Sequence, residues 1–176
     1  MTSHILLGSL TTIYTSAYTP VGTTFLKRGA GNSTGYVFVK NAGADTLTAG
    51  DVVSIYDSSG HTYGFVSTTD ATEPAFSDGT TSRAMVAGIA LSALATGEFG
   101  WLWWYGYGTH AITTDGNIAA FQELLCADDA KVATPNTSAS SAHHMPFGFS
   151  LAADSSTTLS AAVLGGPGMF RWSFNG

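Results

Sequence analysis

The sequence predicts an all-β protein, with an antiparallel β-sandwich or barrel-like fold and at most one short helix. Short apolar or alternating runs recur about every 8–15 residues along the chain, which is the spacing of strands in sandwiches and barrels. Glycine, proline and small polar residues separate the runs and favour tight turns. The composition agrees, since the 176 residues include 24 Thr, 19 Ser and 21 Gly.

The predicted strands follow from period-2 alternation or from short apolar runs bounded by turn residues. Typical separators are the NAG stretch at 41–43 and the DSSG stretch at 57–60. The predicted strands lie at 5–10, 36–40, 52–56, 63–67, 85–91, 100–107, 131–134, 147–151, 159–164 and 170–174.

One segment, 117–127, fits two structures. Its apolar residues recur at a spacing of three or four, which is typical of a short amphipathic helix. The apolar run at 123–126 fits a strand equally well. The spaced apolar residues are Ile118, Phe121, Leu124 and Leu125.

The first 35 residues differ from the rest of the chain. Thr, Ser and Gly dominate residues 1–35, and no charge occurs before Lys27. We expect an N-terminal arm or edge segment there, followed by a β domain at 36–176. Such a segment forms either an ordinary edge strand with a loop or an arm that adds a strand to a partner's sheet.

An internal echo divides the β domain. GIALSA at 88–93 resembles GFSLAA at 148–153, at an offset of 60 residues. We therefore expect two related β units, at about 36–112 and 113–170, that share one core.

Charge and targeting signals exclude several classes of function. The chain carries six Lys and Arg against twelve Asp and Glu, for a net charge of −6, so no basic stripe is available for nucleic acid. The amino terminus lacks a basic region followed by a long apolar run, and no stretch reads as a membrane span. Since Cys126 is the only cysteine, no intrachain disulfide can form. These features predict synthesis in the cytoplasm without export, and no contact with nucleic acid or membrane.

The aromatic stretch at 99–108 is the most unusual feature of the sequence. In a strand, residues two apart share a face, so five aromatic residues would lie on one face and Leu102 and Trp104 on the other. Such a face fits a core, a subunit interface or a sugar-stacking platform, and the sequence leaves these three alternatives open. The interface candidates are Phe99, Trp101, Trp103, Tyr105 and Tyr107.

Chemical motifs are weak throughout. The G-x-G-x-x-A match at 106–111 is followed by a strand and a turn, whereas a dinucleotide site needs a helix there. Ser150 lacks the second glycine of a nucleophile elbow, so a structural role is predicted for it. The five histidines lack zinc-ligand spacing, and the carboxylates form no calcium loop and no distinct pair. We therefore expect no catalytic residue, no metal and no cofactor, and hence no enzymatic activity.

Four short motifs together resemble a known protein family. They are LTAGDVV at 47–53, VAGIAL at 86–91, ATGEFG at 95–100 and Gly106. This arrangement is similar to the small decoration, or cement, proteins of tailed-phage capsids. The stretch at 148–153 matches a later repeat of that family, so the resemblance covers about residues 36–166.

The resemblance implies a structural function. Cement proteins bind the outer surface of the capsid, often as trimers, and stabilise the junctions between capsomers. The expected partners are the major capsid protein and further copies of this chain, after synthesis in the host cytoplasm. An alternative hypothesis is a glycan- or receptor-binding module of a phage tail fibre that uses the aromatic strand face.

Overall fold

The described part of the protein is all-β, which confirms the predicted fold class. The computed structural model describes residues 9–29, 32–55, 65–68, 76–77, 82–83, 86–114, 116–126, 133–135, 146–155 and 157–165, and these ranges contain no helix. The strands are β1 (Thr24–Arg28), β2 (Ser33–Asn41), β3 (Val52–Ile55), β4 (Phe65–Thr68), β5 (Phe76–Ser77), β6 (Ser82–Arg83), β7 (Val86–Ala90), β8 (Phe99–Gly108), β9 (Ile112–Thr113), β10 (Glu123–Cys126), β11 (Ala133–Pro135), β12 (Gly148–Ser150), β13 (Thr158–Leu159) and β14 (Ala162–Leu164).

Five strands close into a ring. The hydrogen-bonded neighbours run β2-β4-β3-β7-β8, and β8 pairs with β2 again. This closure confirms the barrel-like prediction. The antiparallel prediction holds for four of the five pairings in the ring, whereas β2 and β4 run parallel, with Lys40 opposite Phe65.

The long strand β8 joins the ring to the rest of the sheet. Its middle residues pair with β7, and its last three residues, Gly106–Gly108, pair with β14. From β14 the sheet continues through β12 and β10 to β11, while β1 lies beside β2 at the other end.

The sheet contains two matching halves around the β8–β14 pairing. One half reads β4-β3-β7-β8 and the other reads β11-β10-β12-β14, and every pairing within both halves is antiparallel. The similar stretches at 88–93 and 148–153 begin in β7 and at the start of β12, which are corresponding strands. The unit boundaries at 36, 112 and 170, and the division at residue 35, stay predictions.

Two apolar clusters fill the molecule, one on each side of the barrel wall. The inner cluster draws residues from β2, β3, β7 and β8 and from the Leu47–Leu94 bridge. The outer cluster packs the opposite faces of those strands against the second half of the sheet. The inner set is Val37, Val39, Leu47, Val53, Ala90, Leu94 and Leu102. The outer set includes Tyr36, Phe38, Val52, Ile89, Trp101, Trp103, Leu124, Phe147 and Leu164. The described side chains of β2, β3, β7 and β8 are therefore buried on both faces of the wall over most of their length.

The described part of the N-terminal segment packs on the outer cluster. Tyr14 pairs with Phe99 through two backbone hydrogen bonds of 2.8 and 2.9 Å. Further along, Phe25 stacks on Tyr36 with ring centroids 6.2 Å apart. Residues 9–29 therefore cover the core as an edge strand and loop. The predicted strand at 5–10 lies mostly outside the described residues, and the one at 170–174 lies wholly outside them.

The helix hypothesis for 117–127 is wrong, and the strand alternative is correct. Asn117 and Phe121 have φ angles of 59° and 60°, which interrupt right-handed helical geometry. Ile118 forms a bridge with Asp154, and β10 then begins at Glu123. The spacing of three and four that suggested a helix arises because Ile118 and Leu124 point into the core on either side of a tight turn.

Candidate functional site

The centre of the aromatic strand is core rather than a ligand platform. Trp101 is 4% exposed and Trp103 is fully buried. The indole N–H of Trp101 donates to the Tyr18 hydroxyl at 3.1 Å, and that of Trp103 donates to the Tyr105 carbonyl at 3.1 Å. With their rings enclosed and their N–H groups bonded within the chain, neither tryptophan offers a face to a sugar.

The other three aromatic candidates become more accessible along the strand. Phe99 is partly buried where Tyr14 bridges it, and it stacks on Phe38. Tyr105 is partly buried, and Tyr107 is 36% exposed. Of the five predicted interface residues, Tyr107 is therefore the most exposed, while Phe99 and Tyr105 are both partly buried.

A register shift in β8 was not visible in the alternation of its residues. Tyr36 lies opposite Trp103 and Gly35 opposite Tyr105, so Trp104 is an extra residue in the pairing. Trp104 packs toward the inner cluster, and its indole N–H is buried without a hydrogen-bond partner. The nearby glycines, Gly35 and Gly106, were the sequence signal for this bulge, because glycine inside a strand often marks one.

His110 lies against the outer core. Its Nε2 is 3.1 Å from the Tyr36 hydroxyl, and its ring centroid is 5.5 Å from that of Trp103. Burial, and then the positive charge of Lys27, lower the pKa of His110 from its ordinary value of 6.5. Burial likewise raises the pKa of Tyr36 above 10.0. The sequence did not distinguish this histidine from the other four, and those four lie outside the described residues.

Three turns of the molecule share one design. Each turn spans four residues between a bridge residue and a strand, and its last side chain accepts a hydrogen bond from the first backbone N–H of the same turn. The three turns are 48–51, 95–98 and 119–122. The three bonds join the N–H of Thr48 to Asp51 (2.7 Å), of Ala95 to Glu98 (2.8 Å) and of Ala119 to Gln122 (2.8 Å). Two of the few carboxylates thus have structural partners in their own turns.

The third position of each turn adopts a left-handed conformation. Two of the turns use glycine there, with φ of 94° at Gly50 and 87° at Gly97. The third turn places Phe121 at the same position, with φ of 60°, and this side chain is 77% exposed. A non-glycine residue in this region costs about 1–2 kcal/mol, so Phe121 is both strained and uncovered. The apolar spacing of 117–127 concealed this exposure, because it groups Phe121 with Ile118, Leu124 and Leu125 on one face of a possible helix.

Ser150 holds the turn that carries Phe121. Its buried hydroxyl donates to the carbonyl of Ala119 and accepts from the N–H of Gln122 at 3.0 Å. Its backbone bonds the same turn, receiving the N–H of Phe121 at 3.0 Å. This confirms the structural role predicted for Ser150, since its hydroxyl both donates and accepts a hydrogen bond within the protein.

The described ranges hold no candidate metal centre. Within them, no group of three or more His, Cys, Asp or Glu side chains is arranged to hold a metal ion. The same ranges contain no helix long and apolar enough to cross a membrane. The same ranges do contain a buried aromatic wall, the Tyr36–His110 contact and a strained, exposed phenylalanine.

Comparison with known proteins finds similarity among solved structures but not among family models or curated proteins. No family model matches the chain, and no curated protein matches it. Among solved structures, the chain is similar to the head fiber gp8.5 N base in bacteriophage phi29, with 15% sequence identity and a TM-score of 0.47. The match covers 74% of this chain and 94% of that one.

Proposed function

We propose that this protein is a structural component of a tailed-phage virion that binds the outside of the capsid and stabilises capsomer junctions. The supporting observation is where the cement-like motifs lie. The motifs at 47–53 and 95–100 form two of the three matching turns and enter β3 and β8, and the motif at 86–91 forms β7 between them. The residues that carry the resemblance are thus the framework of one side of the barrel.

A homotrimer suits this role. A trimer on a three-fold lattice position presents one patch three times, so each copy makes an equivalent contact. Because the three contacts form together, modest affinity per copy gives firm attachment. The trimer and its partner, the major capsid protein, are parts of the proposal, as is the absence of any catalytic step.

The composition of the chain also fits attachment to a large assembly. Only 10% of the residues are charged, so contacts with a shell would rest on apolar side chains, hydroxyl groups and bridging water. Such contacts depend weakly on ionic strength, since salt screens exposed charges most strongly.

The tail-fibre alternative loses its supporting observation. It required Trp101, Trp103 and Tyr105 to form an exposed stacking face, and the first two are enclosed by the chain itself. We therefore favour the capsid over a glycan as the binding partner.

Virion composition tests the proposal directly. Mass spectrometry of purified particles of the phage that encodes the chain should detect it, in a fixed ratio to the major capsid protein. Particles from a deletion mutant should lose their genomes at lower temperature, and added protein should restore the wild-type temperature. Absence of the protein from purified particles would contradict the proposal.

A further inference from the structure

The side chain of Phe121 is 77% exposed, so its ring buries little surface within this chain. At the corresponding positions the two sister turns carry glycine, which adopts the same backbone conformation without strain. The space beside Gly97 is empty, since a Cβ there would meet no atom within 4 Å. A turn of this design therefore accepts glycine at a partly exposed position. Backbone strain clusters at functional sites, so a large apolar side chain in a strained, exposed position points to a contact outside the chain.

The turn presents this ring rigidly. Gln122 bonds the N–H of Ala119, and Ser150 bonds both ends of the turn through its hydroxyl. In the matching half of the sheet, Ala90 occupies the place of Ser150 and makes only the backbone bonds. The additional hydroxyl therefore fixes the one turn that carries an aromatic residue. A rigid anchor loses little conformational freedom on binding, which favours affinity.

The described residues that adjoin Phe121 along the chain favour a protein surface as the partner. Ala119 and Ala120 beside it are exposed, and residues 116–126 contain no Lys or Arg. Anionic lipid or nucleic acid would require such cations nearby. A neutral apolar pocket on a protein is the complementary surface.

The small area of one ring indicates that several copies of the protein bind the same large surface together. One phenylalanine ring buries about 150–250 Å², whereas a stable interface between two proteins needs about 1,200 Å² or more. Two copies joined through this ring alone would fall well short of that area. An anchor this small becomes effective when several copies engage one surface at the same time.

We propose that Phe121 is an anchor that inserts into an apolar pocket of the capsid shell. This inference rests on the proposed function and adds to it the residue that makes the contact. Ser150 is its positioning residue, since it acts by holding the turn.

Binding of purified protein to shells that lack it tests the anchor. We expect Phe121→Gly to lower the affinity for shells about tenfold or more, because the burial of the ring is lost. The same variant should raise Tm by about 2–4 °C, because glycine relieves the strain. Phe121→Leu should retain most of the binding, and Ile13→Ala, which trims another exposed apolar side chain, should leave it unchanged.

The outcomes separate the two proposals. If the wild-type protein fails to bind shells, the proposed function fails and the anchor fails with it. If the wild-type protein and Phe121→Gly bind equally well, the function stands and the anchor is overturned. Ring-dependent binding to neutral phosphatidylcholine vesicles, or a change in the oligomeric state of free Phe121→Gly, would assign the ring to a lipid surface or to a second copy and would also overturn the inference.

Discussion

The hydroxyl of Tyr36 lies 3.1 Å from Nε2 of His110, and the two rings meet edge-on with their centroids 5.8 Å apart. Tyr36 belongs to β2 and to the outer core, whereas His110 follows β8. This contact places a titratable ring against a buried aromatic cluster.

The stability of the protein should fall in mild acid because of this histidine. The pKa of His110 is lower in the folded protein than its ordinary value of 6.5, so the unfolded chain takes up a proton more readily. The contribution is complete above about pH 6.5 and is lost as the pH falls from there through the folded pKa. Urea unfolding between pH 8 and pH 5 should show this loss, and His110→Gln should reduce it. An identical pH dependence in His110→Gln would contradict the assignment.

Two glycines with similar backbone angles should respond differently to alanine. At Gly106, φ is 79° and an added Cβ would lie 1.9 Å from the Ser33 carbonyl oxygen, so the β2–β8 pairing must shift. At Gly97, φ is 87° but the space is open. We expect Gly97→Ala to cost about 1 kcal/mol from backbone strain alone, and Gly106→Ala to cost at least about 2 kcal/mol more. Equal costs in urea unfolding would show that strain, and not the clash, controls Gly106.

Two buried serines should also differ. Ser150→Ala removes hydrogen bonds to Ala119 and Gln122, which should cost about 1–2 kcal/mol. The buried hydroxyl of Ser92 has no hydrogen-bond partner, so Ser92→Ala should be neutral or slightly stabilising. Urea midpoints of the two variants provide the comparison, and equal losses would mean that the Ser150 bonds contribute nothing net.

The fluorescence of the two enclosed tryptophans, Trp101 and Trp103, should not respond to added ligands. In a Trp104→Phe, Trp172→Phe double variant, emission comes from Trp101 and Trp103 alone. We expect a blue-shifted spectrum, weak quenching by acrylamide and no change on titration with host glycans, since both rings are buried. Quenching as strong as that of free tryptophan would contradict the burial, and a saturable response to one sugar would revive the glycan hypothesis.

The period of the sequence predicted most of the strands because side-chain alternation is a local property. Alternation correctly assigned the first residues of β8 to the two faces of the strand, with Trp101 and Trp103 in the outer cluster and Leu102 in the inner one. It also placed Trp104 correctly on the face of Leu102, but it could not show the register shift at Trp104, because that shift depends on the strand opposite. It also could not tell a core face from an interface, since both require apolar residues.

The segment at 117–127 shows the same limit. Its apolar spacing fits one face of a helix, but Ile118 pairs with Asp154, a residue 36 positions later in the chain. That long-range pairing, together with the hydrogen bonds from Ser150, fixes the left-handed conformation of Phe121. A local pattern holds no information about such partners.

The all-β class, the weak charge and the positions of the cement-like motifs could be predicted from the residues, because these depend on composition and on contacts close in the chain. The closure of five strands into a ring, the enclosure of Trp101 and Trp103 and the exposure of Phe121 could be seen only in the folded chain. Those outcomes depend on pairings such as β2 with β8, between residues that are 59 to 72 positions apart in the chain. Whether a side chain is buried depends on which other parts of the chain pack against it, and distant parts of the chain come into contact only in the folded protein.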